Sequence, residues 1–262
     1  MRKIKPTQTA LDPKSLTVLV TGATSGFGEA VCRRFVKAGA KVIATGRRGD
    51  RLKKLKKELG KRLCTAEFDV RDNRQTVAAL SALPAEFAKI NLVVANAGLA
   101  LGLGPAHESD LADWDGMIAT NINGLLYTVR AVLPGMVKRD EGHVILLGSV
   151  ASDFPYPGGN VYGATKAFVK QFALNLRADL LGSNIRVTNI EPGLAETEFS
   201  LVRFHGDAQK AAAPYQGIDP LSADDIAETI YWSATLPRRV NINRIQVMPV
   251  MQAFSPFAFK RR

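Results

Sequence analysis

Residues 16–21 (LTVLVT) run without a break into Gly22-Ala23-Thr24-Ser25-Gly26-Phe27-Gly28, and an amphipathic stretch over 28–38 follows. The run is β-branched and apolar, the turn spells G-x-x-x-G-x-G, and what comes next has helical periodicity. Glycines at such a turn let the backbone approach a pyrophosphate, while the helix start offers unpaired N–H groups and a partial positive charge. A Gly-rich string alone is just a tight turn. Placed between a first strand and a helix, it predicts a nucleotide site.

Outward from that turn the same alternation repeats. Strands are expected at 16–21, 41–45 (KVIAT), 62–68 (RLCTAEF), 92–95 (LVVA), 143–147 (HVILL), 185–190 (IRVTNI) and 244–248 (RIQVM). Helical patterns lie between them at 28–38, 50–59, 74–83, 113–138, 161–181 and 223–234. Several strands are apolar on both faces, as parallel strands covered by helices must be. The expectation is an α/β fold: a doubly wound, Rossmann-type parallel sheet of about seven strands with helices on both faces. No Gly-, Ser- or Pro-rich linker divides it, so one domain is read over 15–251, between a flexible basic leader (1–14) and a C-terminal tail (252–262). The stretch 207–220 (DAQKAAAPYQGIDP) reads as a mobile loop.

The 262 residues are 46% hydrophobic and carry 35 Lys and Arg against 24 Asp and Glu, a net charge of +11. That excess first invites a nucleic-acid or membrane-surface role. It is concentrated, however, in the leader, in the last three residues, and in 47–62, where nine basic side chains face Asp50 and Glu58. One basic helix and two tails do not make a groove-fitting surface, so no nucleic-acid partner is expected. No apolar run approaches the 18 or so residues of a membrane span, and the leader lacks the apolar segment of a secretory signal. Cys32 and Cys64 fit neither a metal spacing nor a disulfide framework and read as small apolar residues in a reducing, cytoplasmic setting. His107, His143 and His205 form no metal pattern; His143 opens a strand and reads as structural.

The end of the second strand chooses the nucleotide. A carboxylate there accepts from an unphosphorylated ribose; this chain has Thr45-Gly46-Arg47-Arg48. Guanidinium groups bind a 2′-phosphate in a planar, bidentate way, so NADP(H) is expected over NAD(H). Ser25 adds a hydroxyl near that phosphate. Asp69-Val70, ending the third strand, stand where the adenine edge lies, and Asn96-Ala97-Gly98 end the fourth beside the cofactor.

Ser149 follows the fifth strand, and Tyr162-Gly163-Ala164-Thr165-Lys166 open the next helix. Tyr162 and Lys166, at i and i+4, share a helix face. A phenol with a pKa of about 10 is a poor acid–base catalyst near neutrality. A neighbouring ammonium and the positive nicotinamide ring are expected to draw it down, and Lys166 can also hold the nicotinamide ribose. Ser149 can donate to a substrate carbonyl oxygen as negative charge develops on it. Taken singly, Tyr162 reads equally as a core residue, Lys166 as a surface lysine and Ser149 as a cap. Together, at strand ends of an open sheet that carries a phosphate turn, they read as catalytic.

TGATSGFG, NAG, the serine before YxxxK, and PG-x-x-x-T make the chain resemble the short-chain dehydrogenase/reductase family over about residues 15–250. The resemblance implies that Asn121, by residue type a helix-surface amide, bends its long helix and positions a water linking Lys166 to a proton relay. It also implies that Pro192, Gly193 and Thr197 meet the nicotinamide carboxamide. The runs RAVLPGMVKRDEGHVILLGS, YPGGNVYGATKAFVKQFALNLRADL and RVTNIEPGLAETEFSLVRF are similar to the branch acting on 3-hydroxy acids, which implies L-serine, L-allo-threonine and 3-hydroxypropionate/malonic semialdehyde as substrates.

A short hydroxy acid presents a carboxylate near the reacting carbon. Arg203, just after the Thr197 segment, is the candidate to meet it, with a surface arginine as the equal alternative. A 3-oxoacyl thioester or steroid-like alcohol is the nearest other substrate class. A nucleic-acid-associated protein and a non-catalytic NADP sensor are the readings from other classes. By the same resemblance the helices 113–138 and 161–181 pack against a second subunit, in a homotetramer or a dimer.

Overall fold

The computed structural model describes residues 10–254. Residues 1–9 of the leader and 255–262 of the tail lie outside the described residues. Leu11 is already tied to the domain, its amide donating to the Thr235 carbonyl at 2.7 Å, and Pro13–Ser15 form a 3-10 turn capped by Asp12. At the other end Gln252 is buried and accepts from the Leu194 amide, while the Phe254 ring lies 5.3 Å from that of Phe154.

The elements run β1 (Thr17–Val20), α1 (Gly26–Lys37), β2 (Lys41–Gly46), α2 (Gly49–Leu59), β3 (Leu63–Glu67), α3 (Asn73–Ser81), β4 (Leu92–Ala95), α4 (Leu111–Ile118), α5 (Leu125–Arg139), β5 (Gly142–Leu147), α6 (Asn160–Asp179), β6 (Ile185–Pro192), α7 (Phe199–Arg203), α8 (Ala208–Ala212), α9 (Ala223–Thr235) and β7 (Arg244–Val247). All seven strands pair in parallel, in the order β3-β2-β1-β4-β5-β6-β7. The expected doubly wound sheet is therefore present. Its strand order reverses between β1 and β4, and in such sheets a crevice opens there at the carboxyl ends of the strands.

Strand alternation builds the two layers. Val18 and Val20 of β1 join Phe35, Leu52, Leu55, Ile226 and Ile230 under α1, α2 and α9. Leu19, between them, joins Val93, Val129, Val132, Met136 and Val169 under α5 and α6 on the other face. Because both faces are covered, the strand reads as an unbroken apolar run. His143 is buried in the sheet with Nε2 2.8 Å from the Thr188 hydroxyl, the structural role expected of it.

Two expectations are corrected. The single helix read over 113–138 is interrupted by a π-helical stretch, Ala119–Gly124, between α4 and α5. Its extra backbone loop swings Asn121 inward, where the amide is satisfied by another segment rather than by solvent. The supposed loop at 207–220 contains α8 and the 3-10 turn Ala213–Tyr215. Asp207 caps α8 by accepting from the Lys210 amide, and Tyr215 is pinned through its hydroxyl to Ser200 and the Ala195 carbonyl. An alanine-rich run with one proline carried no periodicity long enough to announce so short a helix.

Candidate active site

One cleft of about 320 Å³ opens along the carboxyl ends of the central strands. Its floor is the turn between β1 and α1. Gly22 has φ of +67°, and a Cβ on Gly28 would stand 2.3 Å from the Gly22 carbonyl oxygen, so the turn closes only with glycine at both positions. The facing strand locks it: Thr21 Oγ1 accepts from the amides of Asn96 and Ala97, and Asn96 Nδ2 donates to the Thr21 carbonyl at 2.8 Å. The start of α1 thus faces the cleft across a fixed, close backbone. This is the cradle a dinucleotide diphosphate requires.

At the β2 end of the cleft, Arg47 is exposed, 3.8 Å from the Asp69 carboxylate. Arg48 donates to the Thr24 hydroxyl at 2.8 Å and the Ser25 hydroxyl at 2.7 Å. Burial raises the Asp69 carboxyl, but its bonds to Arg71 outweigh that and leave it below its ordinary range. No carboxylate follows Gly46 on the ribose side; two guanidinium groups stand there instead. The corner fits a ribose phosphate and not a bare diol.

At the other end, Ser149 caps the turn after β5, its Oγ accepting from the Ala151 amide at 3.1 Å and hydrogen-bonded to Tyr162. Tyr162 and Lys166 rise from the first turns of α6, both buried. Of the two charges expected to lower the phenol, only the Lys166 ammonium belongs to the chain, and burial outweighs what the chain itself supplies. Burial, reinforced by Tyr156, pushes Tyr162 above its ordinary range, against the weaker pull of Ser149 and Arg203. Lys166 donates to the Leu147 carbonyl at 2.7 Å, its Nζ 5.8 Å from the Tyr162 ring, and burial brings it down to about 8. Tyr162 thus lines the cleft beside Ser149 with its phenol held above its ordinary range.

Asn121 stands behind this group. Its Oδ1 accepts from the Leu99 amide and its Nδ2 donates to the Leu99 carbonyl, both at 2.8 Å, and to Thr165 Oγ1 at 3.0 Å. Thr165 in turn donates to the Tyr162 carbonyl. A Cβ on Gly98 would lie 3.3 Å from Asn121 Oδ1 and 3.5 Å from Lys166 Nζ, so both polar groups border the space above Gly98.

The roof is α7. Arg203 Nη2 donates to the Tyr156 hydroxyl at 2.8 Å, and its guanidinium carbon lies 5.7 Å from the Tyr162 ring centroid. Gly102 and Arg203 exchange bonds: the Gly102 amide donates to the Arg203 carbonyl at 2.9 Å, and Arg203 Nε to the Gly102 carbonyl at 3.1 Å. Phe199 packs edge-on against Tyr162, ring centroids 5.7 Å apart.

The cleft brings together Gly22, Ser25, Gly26, Phe27, Arg47, Arg48, Asp69, Val70, Asn96, Ser149, Tyr162, Lys166, Pro192, Gly193 and Thr197. Gly28, Asn121 and Arg203 stand just outside its lining, as packing, brace and roof. Sequence reasoning missed Arg51, Glu198, Phe199 and Tyr156. Arg51 sat among eight other basic residues of 47–62; Glu198 and Phe199 follow Thr197 directly, the one signal available. Among the described residues no group of three or more His, Cys, Asp or Glu side chains could hold a metal ion, and no helix is long and apolar enough to cross a membrane.

The family profile described as short chain dehydrogenase matches residues 16–206. The chain is 56% identical to the NADP-dependent 3-hydroxy acid dehydrogenase of Salmonella typhi over 247 residues, 94% of this chain and 100% of the relative. It is 53% identical to the serine 3-dehydrogenase of Agrobacterium fabrum, over 94% of this chain and 98% of that one. Among solved structures it resembles the closed form of a serine dehydrogenase complexed with NADP+, with a TM-score of 0.91 and 55% identity over 94% of this chain and 99% of that chain.

Proposed function

This chain belongs to the short-chain dehydrogenase family, and from that premise we propose how its site works as an NADP(H)-dependent oxidoreductase of short 3-hydroxy acids. The substrates are L-serine, L-allo-threonine and the pair 3-hydroxypropionate/malonic semialdehyde. The names of the relatives, NADP-dependent 3-hydroxy acid dehydrogenase and serine 3-dehydrogenase, support this substrate class. The single observation that carries it is a guanidinium, Arg203, held 5.7 Å from the ring of a buried tyrosine.

When bound, the nicotinamide supplies or takes the hydride. Gly22, Gly26, Phe27 and Gly28 form its diphosphate cradle, Arg47 and Arg48 take the 2′-phosphate with Ser25 alongside, and Asp69 and Val70 border the adenine. Asn96, Pro192, Gly193 and Thr197 flank the nicotinamide end. In the reductive direction Tyr162 gives its hydroxyl proton to the substrate carbonyl oxygen, which leaves as the hydroxyl of the product. Ser149, its oxygen held by the Ala151 amide, turns its O–H from Tyr162 to that same substrate oxygen. In the oxidative direction the Tyr162 proton first leaves to water, and the phenolate oxygen then takes the alcohol proton. Lys166 holds the ribose, and the space it shares with Asn121 above Gly98 is where a water returns the proton to Tyr162. Arg203 pairs with the substrate carboxylate and so fixes the 3-carbon against the hydride path.

Two further assignments complete this reading. Leu111 and Ile118 on α4, Val137 on α5 and Leu174 on α6 are exposed apolar residues that a second copy of the chain would cover. The two free cysteines suit a reducing cytoplasm.

The test follows NADPH absorbance with L-serine, L-allo-threonine and 3-hydroxypropionate in one direction and malonic semialdehyde in the other. Turnover of at least one acid, with little from a 3-oxoacyl thioester, is expected. Turnover of the thioester alone would overturn the substrate class.

A further inference from the structure

The cleft has two walls, and one carboxylate joins them. Arg48 and Arg51 belong to the β2–α2 wall; Glu198 stands at the start of α7, on the β6 wall. Glu198 Oε1 accepts from Arg51 Nη1 at 2.6 Å, and Oε2 accepts from Arg51 Nη1 at 2.8 Å and from Arg48 Nη1 at 2.9 Å. Arg51 also donates to the Thr24 carbonyl, and Arg48 to the Thr24 and Ser25 hydroxyls, so the bonds continue into the phosphate turn. From Glu198, five residues of α7 lead to Arg203, which is bonded to Gly102 and Tyr156 on the substrate side. A line of hydrogen bonds therefore crosses the mouth of the cleft from the 2′-phosphate corner to the substrate roof.

We propose, resting on the dehydrogenase reading above, that Glu198 is a positioning residue: its carboxylate straps α7 to Arg48 and Arg51, closing the roof over bound NADP(H) and setting Arg203 for the acid. Charge supports a strap over a competitor. The guanidinium groups of Arg47, Arg48 and Arg51 match one carboxylate plus one phosphate dianion, so the corner holds both anions together. The cleft beneath is also open with the strap made, lined by Glu198 itself beside Arg47 and Arg48. Burial raises the Glu198 carboxyl, but Arg51 and Arg48 outweigh it and keep it below its ordinary range, hence charged near neutrality. The ion pairs are 40% exposed on each side, so the effect is moderate and salt-sensitive.

Glu198→Gln, Glu198→Asp and Arg51→Gln test it. The readouts are the release rate of NADPH by stopped-flow fluorescence, and amide hydrogen exchange over 199–206 in the protein without cofactor. Glu198→Gln is expected to release NADPH roughly three- to tenfold faster and to exchange faster over 199–206, with KM for the acid raised and kcat little changed. Glu198→Asp should fall between it and the parent, and Arg51→Gln should follow it in both readouts. Unchanged or slower release from Glu198→Gln would overturn the strap, slower release marking the carboxylate as a rival of the 2′-phosphate. Failure of the parent protein to bind NADPH would instead overturn the dehydrogenase reading, and unchanged exchange over 199–206 in Glu198→Gln would then overturn the strap independently.

Discussion

Lys166 donates to the Leu147 carbonyl at 2.7 Å and stands 5.8 Å from the Tyr162 ring, so the lysine is anchored to the end of the strand that presents Ser149. Its burial, with a charge and no carboxylate among the causes that shift it, is costly to the fold.

That cost has a pH signature. Lys166 falls from 10.5 to about 8 on folding. Between those values the unfolded chain binds more protons than the folded one, so stability rises with pH across the window and the full cost applies below it. Lys166→Met is expected to be the more stable protein near pH 7, by up to on the order of 3 kcal/mol, with the advantage gone by about pH 10.5. Urea denaturation at several pH values checks this; a constant advantage would count against it.

With Tyr162 proposed as the proton donor, Tyr162→Phe should lower kcat by at least the range of about 10²–10⁴ that general acid–base catalysis supplies. The ring, its contact with Phe199 and the cofactor cradle survive the change. NADPH fluorescence titration should therefore give an unchanged Kd, and substantial residual turnover would remove the assignment.

Arg203→Ala should raise KM for a hydroxy acid by an amount equivalent to about 1–3 kcal/mol of lost charged hydrogen bonding. The methyl ester of the same acid, lacking the charge, should be nearly indifferent. Equal losses for acid and ester would mean that Arg203 only holds the roof.

Arg47 is the exposed member of the phosphate corner. Arg47→Ala should weaken NADPH by roughly ten- to 150-fold, the equivalent of the about 1.5–3 kcal/mol of a hydrogen bond to a charged group, and leave NADH untouched. Calorimetric titration with both cofactors separates a phosphate contact from a general loss of shape.

Much of this was legible in the sequence because it lies in local patterns. The β1 run and its glycines, the arginines after β2, and the Tyr162–Lys166 spacing each involve neighbours in the chain, and the sheet gathers their ends automatically. The interruption of α4–α5 was not legible from periodicity, since it depends on Asn121 finding Leu99 and Thr165 across the fold. Nor was the weight of burial at Tyr162, which exceeds the pull of its neighbours within the chain. Arg51 was hidden for a different reason. Nothing in a run of basic residues says which one faces a carboxylate 147 positions away.

The reciprocal bonds of Gly102 and Arg203 also join two segments 101 residues apart in the chain. They stitch the loop after β4 to α7. Opening both bonds costs about 1–3 kcal/mol, which holds the separated arrangement down by roughly fivefold to 150-fold. One bond is main-chain to main-chain and the other comes from the Arg203 side chain, so exchanging Arg203 would undo only half of the stitch.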